Sequence, residues 1–216
     1  VKKILISTGG TGGHVLPAIA FFEHFKKKFK VSLVTDKRGS KFIDKDQYHH
    51  EIIDVPNIFS NFFKIPINFI LFFLSIIQSL KYLKKNNVDI LLSTGGYMSI
   101  PLCLASKILN IRIYLFEPNM VIGRSNKFIL KFSKKIICYQ KNLIGLPKNQ
   151  LDKIFLSKTV LRKEIYEIEK NKNTKIQEPI KVLILGGSQG ASFFDDQIKN
   201  LVDKLSKKQN IIINQQ

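Results

Sequence analysis

Cysteine is scarce: Cys103 and Cys138 are the only two in 216 residues. They lie far apart, which excludes a disulfide-stapled scaffold and a cysteine-ligated zinc site. Both sit in apolar runs and read as small buried hydrophobes of a protein kept in a reducing compartment. Arginine is scarce too. Arg38, Arg112, Arg124 and Arg162 are the four among 35 basic residues, against 16 acidic ones, for a net charge of +19. Arginine's bidentate fork dominates phosphate and base recognition, and the lysines here are spread along the chain, so no nucleic-acid partner is expected. Diffuse lysine charge suits an anionic membrane surface instead. No export signal is expected either, because the first apolar run stops at Gly9. There is no G-x-x-x-x-G-K-[ST] motif, so a P-loop is excluded. A hydrophobic content of 44 % excludes global disorder.

What is present is a recurring pattern. Short Ile/Leu/Val runs at 4–7, 31–35, 89–93, 111–116 and 181–185 end in small or acidic residues. Runs this short, bounded by glycine, suit strands buried on both faces. Helical stretches at 15–28, 99–109 and 189–206 alternate with them, which predicts βαβ units and an α/β, doubly wound parallel sheet. Pro17 falls in the expected first turn of its helix, where a missing N–H is tolerated. Residues 1–163 read as one domain, the polar stretch 164–179 as a linker, and 180–216 as the start of a second unit. That start holds too little core to fold alone, so the chain reads as C-terminally truncated.

The stretch 58–85 differs in kind. From Ile65 to Leu80 nearly every residue is apolar, interrupted by Pro66, Asn68, Ser75 and Gln78. Asn68, Ser75, Gln78, Ser79 and Tyr82 recur at helical spacing as a narrow polar stripe, predicting a helix with one face in the core and a second apolar face left over. Lys64, Lys81, Lys84 and Lys85 flank it. A core helix, an interfacial patch on an anionic bilayer and a membrane span all fit this pattern.

Three strands end in doubled glycine: Gly9-Gly10, Gly95-Gly96 and Gly186-Gly187. Phosphates approach main-chain N–H groups closely where no Cβ intervenes, and a following helix N-terminus adds favourable potential. A dinucleotide fingerprint would place its last glycine at Val15, although Asp36 stands where a ribose-binding acid would. A nucleotide-dependent oxidoreductase and a non-catalytic nucleotide-binding, membrane-associated module are thus alternatives. Asp44-Lys45-Asp46 forms a D-x-D among charged turn residues, a poor context for a metal. His24, His49 and His50 read as surface residues.

The segments GGTGGHVLPAIA (9–20), STGGYMSIP (93–101), EPN (117–119) and LGGSQGA (185–191) together resemble the MurG family. Its members are peripheral membrane glycosyltransferases of GT-B fold, acting at the cytoplasmic face of the cell inner membrane. The resemblance implies an N-acetylglucosaminyltransferase of peptidoglycan synthesis, with UDP-N-acetylglucosamine as donor and an undecaprenyl-diphosphate-linked muramoyl-pentapeptide as acceptor. It implies that Thr11, Gly12, Gly13, Asn119, Arg162 and Ser188 bind the sugar nucleotide, and that Gly10, Gly95, Gly96 and Tyr97 form acceptor-diphosphate loops. It also implies a membrane patch at Phe69, Phe72, Phe73 and Ile76. The family's H-E-Q-N is altered here to Phe116-Glu117-Pro118-Asn119, without its histidine and glutamine.

An inverting transfer needs a base for the acceptor hydroxyl and stabilisation of the departing diphosphate. His14 is the candidate base. Glu117 is either catalytic or a support for its loop. No cofactor or metal is expected, and the fragment is expected to be inactive without the rest of its donor domain.

Overall fold

The structure, a computed structural model, describes residues 1–56, 65–162, 165, 178–185, 192–207 and 210–215. The chain divides into two compact units, Val1–Glu167 and Ile168–Gln216.

The first unit is built on seven strands: β1 (Lys3–Ser7), β2 (Lys30–Thr35), β3 (His50–Ile52), β4 (Ile90–Ser93), β5 (Arg112–Glu117), β6 (Lys135–Cys138) and β7 (Ile154–Leu156). All pairs are parallel, in the order β3-β2-β1-β4-β5-β6-β7. Successive residues of one strand serve opposite cores. Leu5, Leu91, Ile113 and Leu115 join one buried cluster, while Ile4, Ile6, Leu92 and Phe116 join the other. Both faces are therefore covered, which is why these strands read as continuous apolar runs.

Helix α1 (Gly12–Phe25) covers the second cluster with Val15, Ala18, Ile19 and Phe21. It begins three residues before its predicted start. Pro17 accordingly sits beyond the first turn, leaving the Gly13 carbonyl without its i+4 donor. Helices α2 (Ile65–Asn86) and α3 (Ser99–Ile108) pack on each other on the other side. A short helix α4 (Arg124–Ile129) follows β5. Strands β3, β6 and β7, each of three or four residues, are too short to be singled out by periodicity.

Helix α2 packs on the core with Ile76, Leu80, Tyr82 and Leu83, yet most of its apolar side chains are exposed. Its buried residues are Asn68, Ser75, Ser79 and Leu83. Ser79 Oγ donates to the Ser75 carbonyl (2.7 Å) and Ser75 Oγ to the Phe72 carbonyl (2.6 Å). Hydroxyls that bond back to their own helix need no outside partner and leave a narrow surface for close packing. Ile67, Phe69, Ile70, Leu71, Phe73, Leu74 and Ile77 are left 44–62 % exposed. Of the polar stripe, Asn68, Ser75 and Ser79 are buried, Tyr82 is half-buried and Gln78 is exposed; Ile76, Leu80 and Leu83 pack into the core, and a second, apolar face is bare. By length and composition α2 could cross a membrane.

In the second unit, β8 (Ile180–Ile184) and β9 (Ile211–Gln215) pair in parallel, joined through α5 (Ser192–Ser206) as one β–α–β unit.

Candidate functional site

The sheet order reverses at β1, whose chain leaves towards β2 on one side while β4 lies on the other. In open α/β sheets ligands bind outside the carboxyl ends of the strands at that point. A groove of about 1340 Å³ lies there, its lining combining the polar side chains of His14, Glu117, Asn119, Arg124 and Asn126 with the apolar ones of Val55, Leu71, Leu74 and Ile100.

His14 is half-buried in the first turn of α1. Its Nδ1 lies 2.8 Å from the Thr94 carbonyl oxygen. A carbonyl only accepts, so Nδ1 carries the proton and Nε2 is the ring's acceptor. Thr94 Oγ1 donates in return to the His14 carbonyl at 3.0 Å. The β4 loop thus grips the ring and its backbone together. Gly95 (φ +97°) permits this: a Cβ there would sit 3.0 Å from the imidazole. At Gly96 (φ +86°) a Cβ would meet the Gly9 carbonyl oxygen at 2.9 Å, so the first two glycine loops touch backbone to backbone.

That contact redefines the doubled glycines. The Gly10 N–H donates to Asp36 Oδ1 (2.9 Å) and the Gly95 N–H to Ser93 Oγ (3.2 Å). Neither amide is free to grip a diphosphate. The N–H groups of Thr11, Gly12 and Gly13 precede the first hydrogen bond of α1, donated by His14 to Thr11, and have no acceptor among the described residues. Tyr97 lines the groove, its ring centroid 6.0 Å from that of Phe72.

Asp36 is buried and fully engaged. Its Oδ1 accepts from Gly10 and Gly39 N–H, and its Oδ2 from Arg38 Nε and Nη2, both at 3.1 Å. A carboxylate so occupied has no lone pair for a ribose hydroxyl, which removes the basis of the oxidoreductase alternative.

Glu117, at the end of β5, is 2 % exposed. Oε1 accepts from the Asn119 backbone N–H (3.3 Å) and from Asn119 Nδ2 (2.9 Å). Oε2 accepts from Gly123 N–H (2.7 Å) and Asn126 Nδ2 (3.0 Å). Four donors on one carboxylate make Glu117 the hub of the β5–α4 loop. Asn119 gives one Nδ2 hydrogen to Glu117, which leaves its Oδ1 and the second N–H for a ligand.

The groove thus brings together His14, Gly96, Tyr97, Glu117 and Asn119. Gly10 and Thr11 of the adjoining β1–α1 loop and Gly12 and Gly13 in the first turn of α1 lie outside its lining, and Gly95 lies beneath His14. Arg162 is exposed and lines no part of the groove. Ser188, Gly186, Gly187 and Lys64 lie outside the described residues, as does most of the 164–179 linker. Of the four apolar side chains expected as a patch, Phe69 and Phe73 point outward while Phe72 and Ile76 are half-buried. The D-x-D is an exposed turn in which Asp44 Oδ1 accepts from the Asp46 N–H. His50, read as a surface residue, is half-buried, its Nε2 2.8 Å from Ser40 Oγ and its Nδ1 3.0 Å from the Tyr48 carbonyl. Two groove residues, Arg124 and Asn126, escaped the sequence reading: they stand in no glycine motif, and only the turn of α4 carries them there.

Residues 4–138 match the glycosyltransferase family 28 N-terminal domain. A Pelagibacter ubique protein named UDP-N-acetylglucosamine–N-acetylmuramyl-(pentapeptide) pyrophosphoryl-undecaprenol N-acetylglucosamine transferase is 48 % identical over the whole chain. A Rickettsia bellii protein of the same name is 33 % identical over 97 % of it. The chain spans about 60 % of the length of these relatives. The crystal structure of Acinetobacter baumannii MurG superposes on all of this chain, using 61 % of its own, with a TM-score of 0.73 at 22 % identity. That likeness is one of fold, of the GT-B type.

Proposed function

The chain belongs to glycosyltransferase family 28, and we propose that it is the acceptor-side portion of an N-acetylglucosaminyltransferase of peptidoglycan synthesis. The donor is UDP-N-acetylglucosamine and the acceptor an undecaprenyl-diphosphate-linked muramoyl-pentapeptide, met at the cytoplasmic face of the inner membrane. One observation carries this reading: a single groove joins a held imidazole to an apolar wall, and Leu71 and Leu74 belong both to that wall and to the bare face of α2. An acceptor with a sugar at one end and a polyprenyl chain at the other matches that division.

In the proposed reaction the acceptor hydroxyl attacks the anomeric carbon, the bond from that carbon to the diphosphate oxygen breaks, and UDP departs. The hydroxyl proton passes to His14 Nε2. The Thr94 carbonyl, already bonded to Nδ1–H, orients the ring and favours the imidazolium that forms. Asn119 Oδ1 accepts from a sugar hydroxyl. Glu117 is a positioning residue, acting through Asn119 and Asn126. Arg162 and Ser188 are retained as donor-side contacts, where a cation and a glycine loop would offset charge on the leaving diphosphate.

The membrane contact is proposed to be interfacial. Helix α2 packs on α3 within a sheet unit, so spanning would drag that unit's polar loops into hydrocarbon. Lying flat on the surface buries only the bare face.

The test uses a protein extended beyond Gln216 by the remaining length of the Pelagibacter ubique relative. Transfer of radiolabelled N-acetylglucosamine to the lipid-linked acceptor is followed, alongside calorimetric titration with UDP-N-acetylglucosamine. His14→Ala is expected to lower turnover by about 10²–10⁴-fold with donor affinity retained. Unchanged turnover removes His14 as the base. Absence of transfer with donor binding intact in the unmodified protein favours the non-catalytic module.

A further inference from the structure

The groove holds more charge than the reaction above uses. Its lining includes three carboxylates and two guanidinium groups. Asp36 is engaged by Gly10, Gly39 and Arg38. Asp54 is paired with Lys37 at 2.6 Å, and Glu117 holds its four loop donors. Arg38 is committed to Asp36. Arg124 differs from all of these: it is exposed on the groove lining and has no ion pair or hydrogen-bond partner among the described residues. It is the groove's one uncommitted guanidinium, and it shares the lining with Leu71 and Leu74.

We propose that Arg124 binds the diphosphate of a prenyl-linked acceptor, fixing the charged end while the prenyl chain runs over Leu71 and Leu74 to the bare face of α2. This rests on the transferase reading above. A guanidinium suits the task because its planar fork meets two phosphate oxygens at once and stays charged. Two ligands of the proposed reaction carry a diphosphate, the nucleotide sugar and the lipid-linked acceptor. The apolar wall selects the second: a nucleotide would strand its ribose and base hydrogen-bonding groups against leucine, at a desolvation cost a prenyl chain does not incur. A cation beside an apolar wall also sets direction, so the acceptor enters in one orientation. The sugar beyond the diphosphate then lies in the same groove as His14.

The experiment measures equilibrium binding of farnesyl diphosphate to the chain at concentrations below micelle formation. Farnesol, inorganic diphosphate and UDP-N-acetylglucosamine serve as comparison probes. Arg124→Gln is expected to weaken farnesyl diphosphate about ten- to a hundredfold, as loss of a charge-assisted pair does, and to leave farnesol and the nucleotide sugar unchanged. Arg124→Lys recovers part of the loss, retaining charge without the fork. Leu74→Asn weakens farnesyl diphosphate but leaves inorganic diphosphate as it was. The side chain of Arg124 has no partner to lose, so folding is expected to be intact, which circular dichroism checks. Equal binding by wild type and Arg124→Gln overturns the assignment while leaving the transferase reading in place. A parallel loss of UDP-N-acetylglucosamine affinity moves Arg124 to the donor and overturns it as well. A wild-type chain that takes up no farnesyl diphosphate overturns both this proposal and the lipid-acceptor reading, whereas failure of the His14→Ala test leaves this binding result untouched.

Discussion

Glu117 carries four hydrogen bonds on two oxygens, and three of the donors sit on Asn119 and Asn126, both groove residues. Glu117→Ala strands those donors in a buried place, so a loss of about 3 kcal/mol in urea unfolding is expected. The groove residues that Glu117 orients lose their geometry with it. A general base would show the opposite pattern, a lost turnover with stability nearly intact. Cys103 offers a second check at this scale. Burial pushes its thiol up to about 12, with the nearby Ser93 hydroxyl acting to lower it. At pH 8 its thiolate is scarce and the sulfur inaccessible, so a disulfide exchange reagent should leave Cys103 unmodified until denaturant is added. Reaction in the native state would show that the packing between β4 and α3 opens readily.

Among the elements, α2 makes the sharpest claim, because its two faces predict opposite outcomes. Ser79 is fully buried, so Ser79→Leu overpacks its site and is expected to cost about 1–3 kcal/mol. On the bare face the double change Phe69→Ser, Phe73→Ser alters only exposed rings and should move stability by less than about 1 kcal/mol. Yet it should abolish flotation with neutral phosphatidylcholine vesicles. A stable double variant that still floats would rule out α2 as the membrane contact. Its rings lie 5.2 Å apart on consecutive turns, so they act as one patch.

For the whole molecule the relevant quantity is the net charge of +19. Lys81, Lys84 and Lys85 cluster at the C-terminal end of α2, and the rest is spread widely. Binding to phosphatidylglycerol vesicles should therefore weaken steeply as salt rises from about 0.05 M to about 0.5 M, as screening shortens the reach of surface charge. A residual, salt-insensitive component should remain from the apolar face and disappear in the Phe69/Phe73 double variant. Neutral phosphatidylcholine vesicles should retain only that second component.

The sequence by itself determined the strands that are longest and most apolar, the alternation that makes the sheet parallel, and the presence of a helix over 67–85. Each of these is local: a run of branched residues bounded by glycine has few other ways to bury itself. It also singled out His14 and Glu117, because both end or follow a strand in a conspicuous motif. Only the tertiary structure decided what surrounds those residues. The doubled glycines read as phosphate cradles, but Gly96 is glycine so that it can lie on Gly9, and the Gly10 amide belongs to Asp36. Asn68, Ser75 and Ser79 of α2 are buried although polar, the two serine hydroxyls bonding to their own helix where α2 packs on α3. Arg124 and Asn126 reach the groove through the β5–α4 loop that Glu117 ties down. Such assignments depend on which long-range partner claims each donor and acceptor, and that competition is settled only when distant strands are brought side by side.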